Sequence, residues 1–260
     1  MTAPVLRRLV LELAHGPIDP GVMRLAAEFA RDFGLDLFGV YTEDESLLRV
    51  AALPFTREIR MLTHDWRRLD PGAVVDELRG QAETVRRHLR ETVDRLGVSG
   101  GFEVRRGDPM LCVAGVCSPA DAIVVSTSAT MQRPVADRLR QAAEQSPAAV
   151  LVMPDRLTRN RGPVVVITDD LDDPGVALAQ GFAERQRVRL LVLTPRTGEA
   201  VPGPDSDISP IAAVRTGDVL RALAPVRERL VVVSHGCAAT IGIDGASRIA
   251  EAGAVPVLVL

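Results

Sequence analysis

The side chains with chemistry in them gather where apolar runs end. Ser126-Thr127-Ser128 closes the run that begins at Ala122, Asp169-Asp170-Leu171-Asp172-Asp173 follows Pro163 to Thr168, and Ser234-His235-Gly236 follows Leu230 to Val233. Serine, histidine and aspartate are the residue types of a nucleophile, its base and an orienting acid. Adjacent Ser234 and His235 on a strand point to opposite faces, however, so their spacing argues against a triad. His235 with Asp169 and Asp170 has the imidazole and carboxylate groups that suit a divalent cation. The acidic run reads more simply as an N-terminal cap that complements the dipole of the helix behind it. The hydroxyls of Ser126, Thr127 and Ser128 can serve a phosphate, and equally satisfy the backbone of a turn. Gly107-Asp108 and Gly217-Asp218 read as turn plus N-cap.

Cys112, Cys117 and Cys237 are too few and too odd in number for a disulfide framework, which suits a reducing compartment. On a helix, Cys112 and Cys117 would diverge by roughly 140°, which is poor geometry for a shared metal. Both read as small buried hydrophobes. With 31 basic and 34 acidic residues the net charge is -3, which leaves no global field to gather nucleic acid. No apolar stretch approaches the roughly 20 residues that span a bilayer, and Met1 to Arg8 carries no signal-peptide core. The expected location is the cytoplasm, with no membrane insertion.

Apolar residues make up 47% of the chain and aromatics only 3%, so its core must be aliphatic, as buried parallel strands favour. Leu6 to Leu13 reads as a strand, Gly21 to Phe33 as a helix stopped by Gly34, and Leu35 to Tyr41 as the next strand. Ala73 to Leu96, closed by Gly97, is the longest predicted helix. Phe102 to Arg105, Ala122 to Ser126 and Ala149 to Met153 are further strands, with helices after Asp108 and near Val135 to Gln145. This alternation predicts an α/β fold with a mostly parallel sheet built from right-handed β-α-β units.

The pattern then restarts. Pro163 to Thr168 matches the first strand, and Asp172-Asp173-Pro174-Gly175-Val176 echoes Ile18-Asp19-Pro20-Gly21-Val22. Val104-Arg105-Arg106-Gly107-Asp108 recurs as Val214-Arg215-Thr216-Gly217-Asp218. Val22 and Val176 stand 154 apart, Asp108 and Asp218 only 110, so the second copy lacks some 44 residues, the long helix among them. Thr197 to Pro210, rich in Pro, Gly, Asp and Ser, reads as a loop in its place. The expected organisation is two Rossmann-like halves, residues 1–156 and a reduced 162–260.

The element order, the Gly107-Asp108-Pro109 turn, and Leu47-Leu48-Arg49 with Ala52-Leu53-Pro54-Phe55 resemble the universal stress protein family. The resemblance covers the first half well and the second in part. Members that bind ATP or AMP carry a Gly-x2-Gly-x9-Gly-Ser/Thr loop after the fourth strand, whose backbone N–H groups cradle phosphates. No glycine occurs here between Gly115 and Gly162. In the second half Gly236, Gly242 and Gly245 are not followed by Gly-Ser/Thr, since Ala254 follows Gly253. The family's acidic residue at the end of the first strand has no counterpart in Leu13-Ala14-His15, whereas Asp169 or Asp170 could stand there.

The resemblance therefore implies a tandem universal-stress-type protein of the stress response that is non-enzymatic, binds no cofactor, and acts on a protein partner not identifiable from sequence. The alternative is an adenine-nucleotide sensor holding ATP or AMP through Asp169, Asp170 and Ser234-His235-Gly236, with Ser126, Thr127 and Ser128 as the equivalent positions of the first half. A third alternative, a nucleotide hydrolase, lacks both a phosphate loop and a convincing general base. The apolar last strand, Val255 to Leu260, invites pairing. It is expected to pair internally with Ala149 to Met153 as a pseudo-dimer, with homodimerisation through another surface left open.

Overall fold

The structure is a computed structural model that describes residues 6–13, 20–59, 64–127, 146–158, 161–195 and 206–260. Ala14, His15, Ser128 and the helix expected near Val135 to Gln145 lie outside them. Strand β1 (Arg8–Glu12) leads to helix α1 (Pro20–Phe33) and strand β2 (Asp36–Asp44). Helix α2 (Glu45–Ala51) and a hairpin of β3 (Arg57–Ile59) and β4 (Trp66–Arg68) then precede the long helix α3 (Pro71–Leu96). The signals that define α3 are local. The Asp70 side chain accepts from the Gly72 N–H, Pro71 opens the first turn, and Gly97 closes the helix in the left-handed conformation. Its buried stripe is Leu78, Ala82, Val85, Leu89 and Val93.

Strand β5 (Gly100–Gly107), helix α4 (Pro109–Ala114), β6 (Asp121–Ser126) and β7 (Ala149–Met153) complete the described part of the first half. The second half runs β8 (Val164–Ile167), α5 (Pro174–Gln186), β9 (Leu190–Thr194), β10 (Ser206–Pro210), α6 (Thr216–Leu223), β11 (Leu230–Val233), α7 (His235–Gly253) and β12 (Val257–Val259).

Ten strands form one sheet in the order β10-β9-β8-β11-β12-β7-β6-β1-β2-β5. Read outward from the centre, each half repeats one strand order. All neighbours are parallel except the central pair, where β12 and β7 run antiparallel with Leu258 opposite Leu151. The two apolar last strands thus cover each other's edges inside one chain. Strand residues alternate between two cores. Leu9, Val124, Leu151, Val166, Val232 and Leu258 face α1, α3 and α5, while Val10, Ile123, Val152, Ile167, Val233 and Val257 face α4, α6 and α7.

No counterpart of α3 occurs among the described residues between β9 and β10. Instead α5 packs against α1 of the other half, with Phe182 edge-on to Phe33 at 4.9 Å between ring centroids. Polar contacts bracket this seam. The Gln186 amide donates to the Asp32 carbonyl, and the Arg229 guanidinium meets the Asp32 carboxylate at 3.3 Å. One apolar layer therefore runs across both halves, and the reduced half is covered partly by its neighbour.

One expectation is corrected. Residues 206–210 are not loop: they form β10, parallel to β9, with Ile208 opposite Val192. Composition misleads there because an edge strand has one free side, which tolerates Ser, Asp and Pro210 while β9 supplies the ladder. The Val214 to Asp218 echo is followed by a short helix, α6, and then by β11, although Val104 and Arg105 lie in β5 whereas Val214 and Arg215 precede α6.

Candidate functional site

In an open parallel sheet the carboxyl ends of the strands, where helix N-termini also point, are the place for a ligand. At that edge of the second half, β8 delivers Thr168 and the acidic run, and β11 delivers Ser234. The Thr168 hydroxyl donates to the Asp170 carbonyl at 2.6 Å and accepts from the Asp170 N–H at 3.1 Å. Asp170 Oδ1 accepts in turn from the Asp172 N–H at 3.1 Å. These contacts fold the run back on itself and deliver Asp173 to the start of α5.

The expected capping role of the acidic run falls to Asp173. Its Oδ1 accepts from the Gly175 N–H at 2.7 Å, with Pro174 in the first turn, so it caps α5. Its Oδ2 accepts from the Gly236 N–H at 3.3 Å, in the first turn of α7. One carboxylate, with its side chain only 8% exposed, therefore serves two helix N-termini. Asp169 closes on the same turn from the other side. A Cβ added at Gly236 would stand 2.7 Å from its Oδ1, and the Cys237 thiol contacts that oxygen at 3.6 Å. Burial pushes the Cys237 thiol above its ordinary range, with Ser234 pulling the other way.

Ser234, His235 and Gly236 do not form a turn at the end of a strand. Ser234 is the N-cap residue of α7 and His235 opens the helix. The Ser234 hydroxyl is wholly buried and makes no sound hydrogen bond among the described residues, leaving the Cys237 thiol as its polar neighbour. The His235 ring lies half-exposed on the outside, its Nδ1 3.6 Å from Asp173 Oδ1. Serine and histidine therefore face different surroundings, as their adjacency implies. His235 pairs with Asp173 rather than with Asp169 or Asp170. Among the described residues no three His, Cys, Asp or Glu side chains converge as a metal site would require.

In the first half, Ser126 ends β6 with its side chain buried, and the Thr127 N–H continues the ladder to the Met153 carbonyl at 2.9 Å. Both belong to the sheet's own hydrogen bonding. Asp108 behaves as expected: Gly107 takes φ +145° and Asp108 Oδ1 accepts from the Leu111 N–H at 3.3 Å. Asp218 does not. It sits inside the first turn of α6 and pairs with Arg221, while Arg215 occupies the cap position without a side-chain bond.

The residue that sequence reasoning undervalued is Asp173. Its cap of α5 was visible in the Asp-Pro-Gly order, but its bond to Gly236, 63 positions away, had no local signal. An apolar cleft of about 520 Å³ also opens beside α7, lined by Ala148, Val150, Ala238, Ile243 and Val259 with His235 among its walls.

The fold matches solved structures end to end. A universal stress protein from Archaeoglobus fulgidus DSM 4304 superposes with a TM-score of 0.66 at 12% identity, covering 96% of this chain and 95% of that one. A functionally unknown protein from Pseudomonas aeruginosa PAO1 superposes with a TM-score of 0.55 at 14% identity, covering 99% and 93%. No family model and no curated protein matches the sequence. The fold is that of the universal stress proteins, and among the described residues no helix is long and apolar enough to cross a membrane.

Proposed function

We propose that the chain is a tandem universal-stress-type protein of the cytoplasm that works in the stress response as a non-enzymatic regulatory or interaction protein and does not bind ATP or AMP. The observation that carries this reading is the Asp173 carboxylate at the N-terminus of α7. A helix start at the carboxyl edge of a parallel sheet attracts a phosphate because its N–H groups and dipole favour negative charge. Here a carboxylate of the chain holds that place, and Asp169 stands beside it. A nucleotide phosphate arriving there meets two negative groups instead of free donors. The first half supports the same reading through composition, since no glycine lies between Gly115 and Gly162 to let bare backbone close on an anion.

The test is a thermal-shift titration of the full chain with ATP, AMP and magnesium, because a ligand that binds only the native state must raise its apparent stability. No shift at millimolar nucleotide is the expected result. A concentration-dependent rise that Asp169→Ala removes would replace this reading with the adenine-nucleotide sensor.

A further inference from the structure

The segment between β2 and α3 carries most of the large apolar side chains that the described fold leaves outside. Leu53 is 48% exposed, Phe55 78%, Ile59 43% and Trp66 65%. The stretch is tied together locally: the Thr56 hydroxyl donates to the Val50 carbonyl at 2.7 Å, and the Leu69 N–H bonds the Thr56 carbonyl at 3.1 Å. It is therefore a built surface.

Its hairpin has two unlike faces. Register places Arg57 opposite Arg68, Glu58 opposite Arg67 and Ile59 opposite Trp66. Side chains alternate along a strand, so Glu58 and Arg67 share one face and satisfy each other as an ion pair. Arg57, Ile59, Trp66 and Arg68 share the other. Like charges set directly opposite on a ribbon repel, and neither Arg57 nor Arg68 has an acidic partner among the described residues. From Leu53 to Leu69 the sequence holds four arginines against Glu58 and Asp65, an excess of positive charge in a chain whose net charge is -3.

We propose that this face docks a protein segment bearing carboxylates beside apolar side chains, with a carboxylate received between Arg57 and Arg68 and an apolar group laid on Ile59 and Trp66. The inference rests on the interaction-protein reading above and names the surface and the chemistry of its partner. Charge complementarity selects an acidic occupant, and it disfavours a second copy of the same basic face. Exposed Trp, Phe and Arg are the residues that carry binding energy at protein interfaces. An anionic bilayer fits less well, since Arg57 and Arg68 supply only two basic groups and stable attachment takes further anchors.

Trp66 is the only tryptophan of the chain, so its emission reports directly on this face. The full chain is titrated with three short peptides of equal leucine and phenylalanine content, bearing glutamates, serines or lysines. The expected result is a blue shift of Trp66 emission with the glutamate peptide, weakened by salt. The double variant Arg57→Glu, Arg68→Glu, with an unchanged melting profile, is expected to lose that peptide by about tenfold or more and to accept the lysine peptide instead. The proposal is overturned if the serine peptide binds as well as the glutamate one. It is also overturned if phosphatidylserine vesicles or oligothymidylate shift Trp66 while the glutamate peptide does not, or if none of the probes does. Such a failure leaves the nucleotide titration as it stands, whereas stabilisation by ATP would defeat the interaction-protein reading whatever the peptides show.

Discussion

The Asp173 carboxylate and the Gly236 N–H meet at 3.3 Å across 63 residues of chain, joining the loop after β8 to the first turn of α7. The same carboxylate caps α5 through the Gly175 N–H at 2.7 Å. An internal anion thus occupies the position where the fold would offer a helix start to an external one.

Replacing Asp173 by Ala removes both caps and is expected to lower stability by about 1–3 kcal/mol, measured by urea unfolding. The loss of the carboxylate also frees the Gly236 N–H at the start of α7. Inorganic phosphate should then raise the melting temperature of the variant more than that of the parent, and an equal response in both would show that Asp173 does not guard the helix start.

Asp121 is held by Arg8 through two bonds, at 2.9 and 2.8 Å, and by the Ser118 N–H at 2.7 Å. Burial on its own would raise the Asp121 pKa, but these hydrogen bonds outweigh it and hold the carboxyl below the usual aspartate value. A folded pKa below the unfolded one contributes stability that is present above the unfolded value and lost as pH falls through the folded one. Asp121→Asn is therefore expected to cost about 2–4 kcal/mol at neutral pH. The gap to the parent should narrow as pH drops below the ordinary carboxylate range. Chemical unfolding as a function of pH measures it, and a gap that does not change with pH would refute the assignment.

Phe182 and Phe33 join the halves within one apolar layer. Truncating Phe182 to Ala opens a cavity beneath α1 and α5, at an expected cost of about 3–5 kcal/mol. Because that layer is continuous, unfolding should remain a single transition in the parent. Two separate transitions in the parent would show that the halves are independent.

Much of the fold can be read along the chain because its signals are local or periodic. Asp70, Pro71 and Gly97 bound α3, the apolar runs mark the buried strands, and the unpaired edge of the last strand called for a partner that β7 supplies. The segment at 206–210 was hidden for the opposite reason. Its strand state depends on β9 lying alongside, and nothing in Ser206-Asp207-Ile208-Ser209-Pro210 records that neighbour.

The candidate site divides in the same way. Residue types and approximate positions of Asp169, Asp170, Ser234 and His235 follow from where apolar runs stop, since strand ends are fixed by hydrophobic length. Which groups face each other does not follow, because contacts across the sheet depend on strand order. Tertiary structure alone turned Ser234 into a buried N-cap, set His235 beside Asp173, and aimed one carboxylate at two helices. By itself the sequence determined a twofold, aliphatic, mostly parallel α/β chain, because propensity and periodicity act over a few residues. The closing of the second half against the first, and the filling of its anion position from within, were decided by packing between segments far apart in sequence.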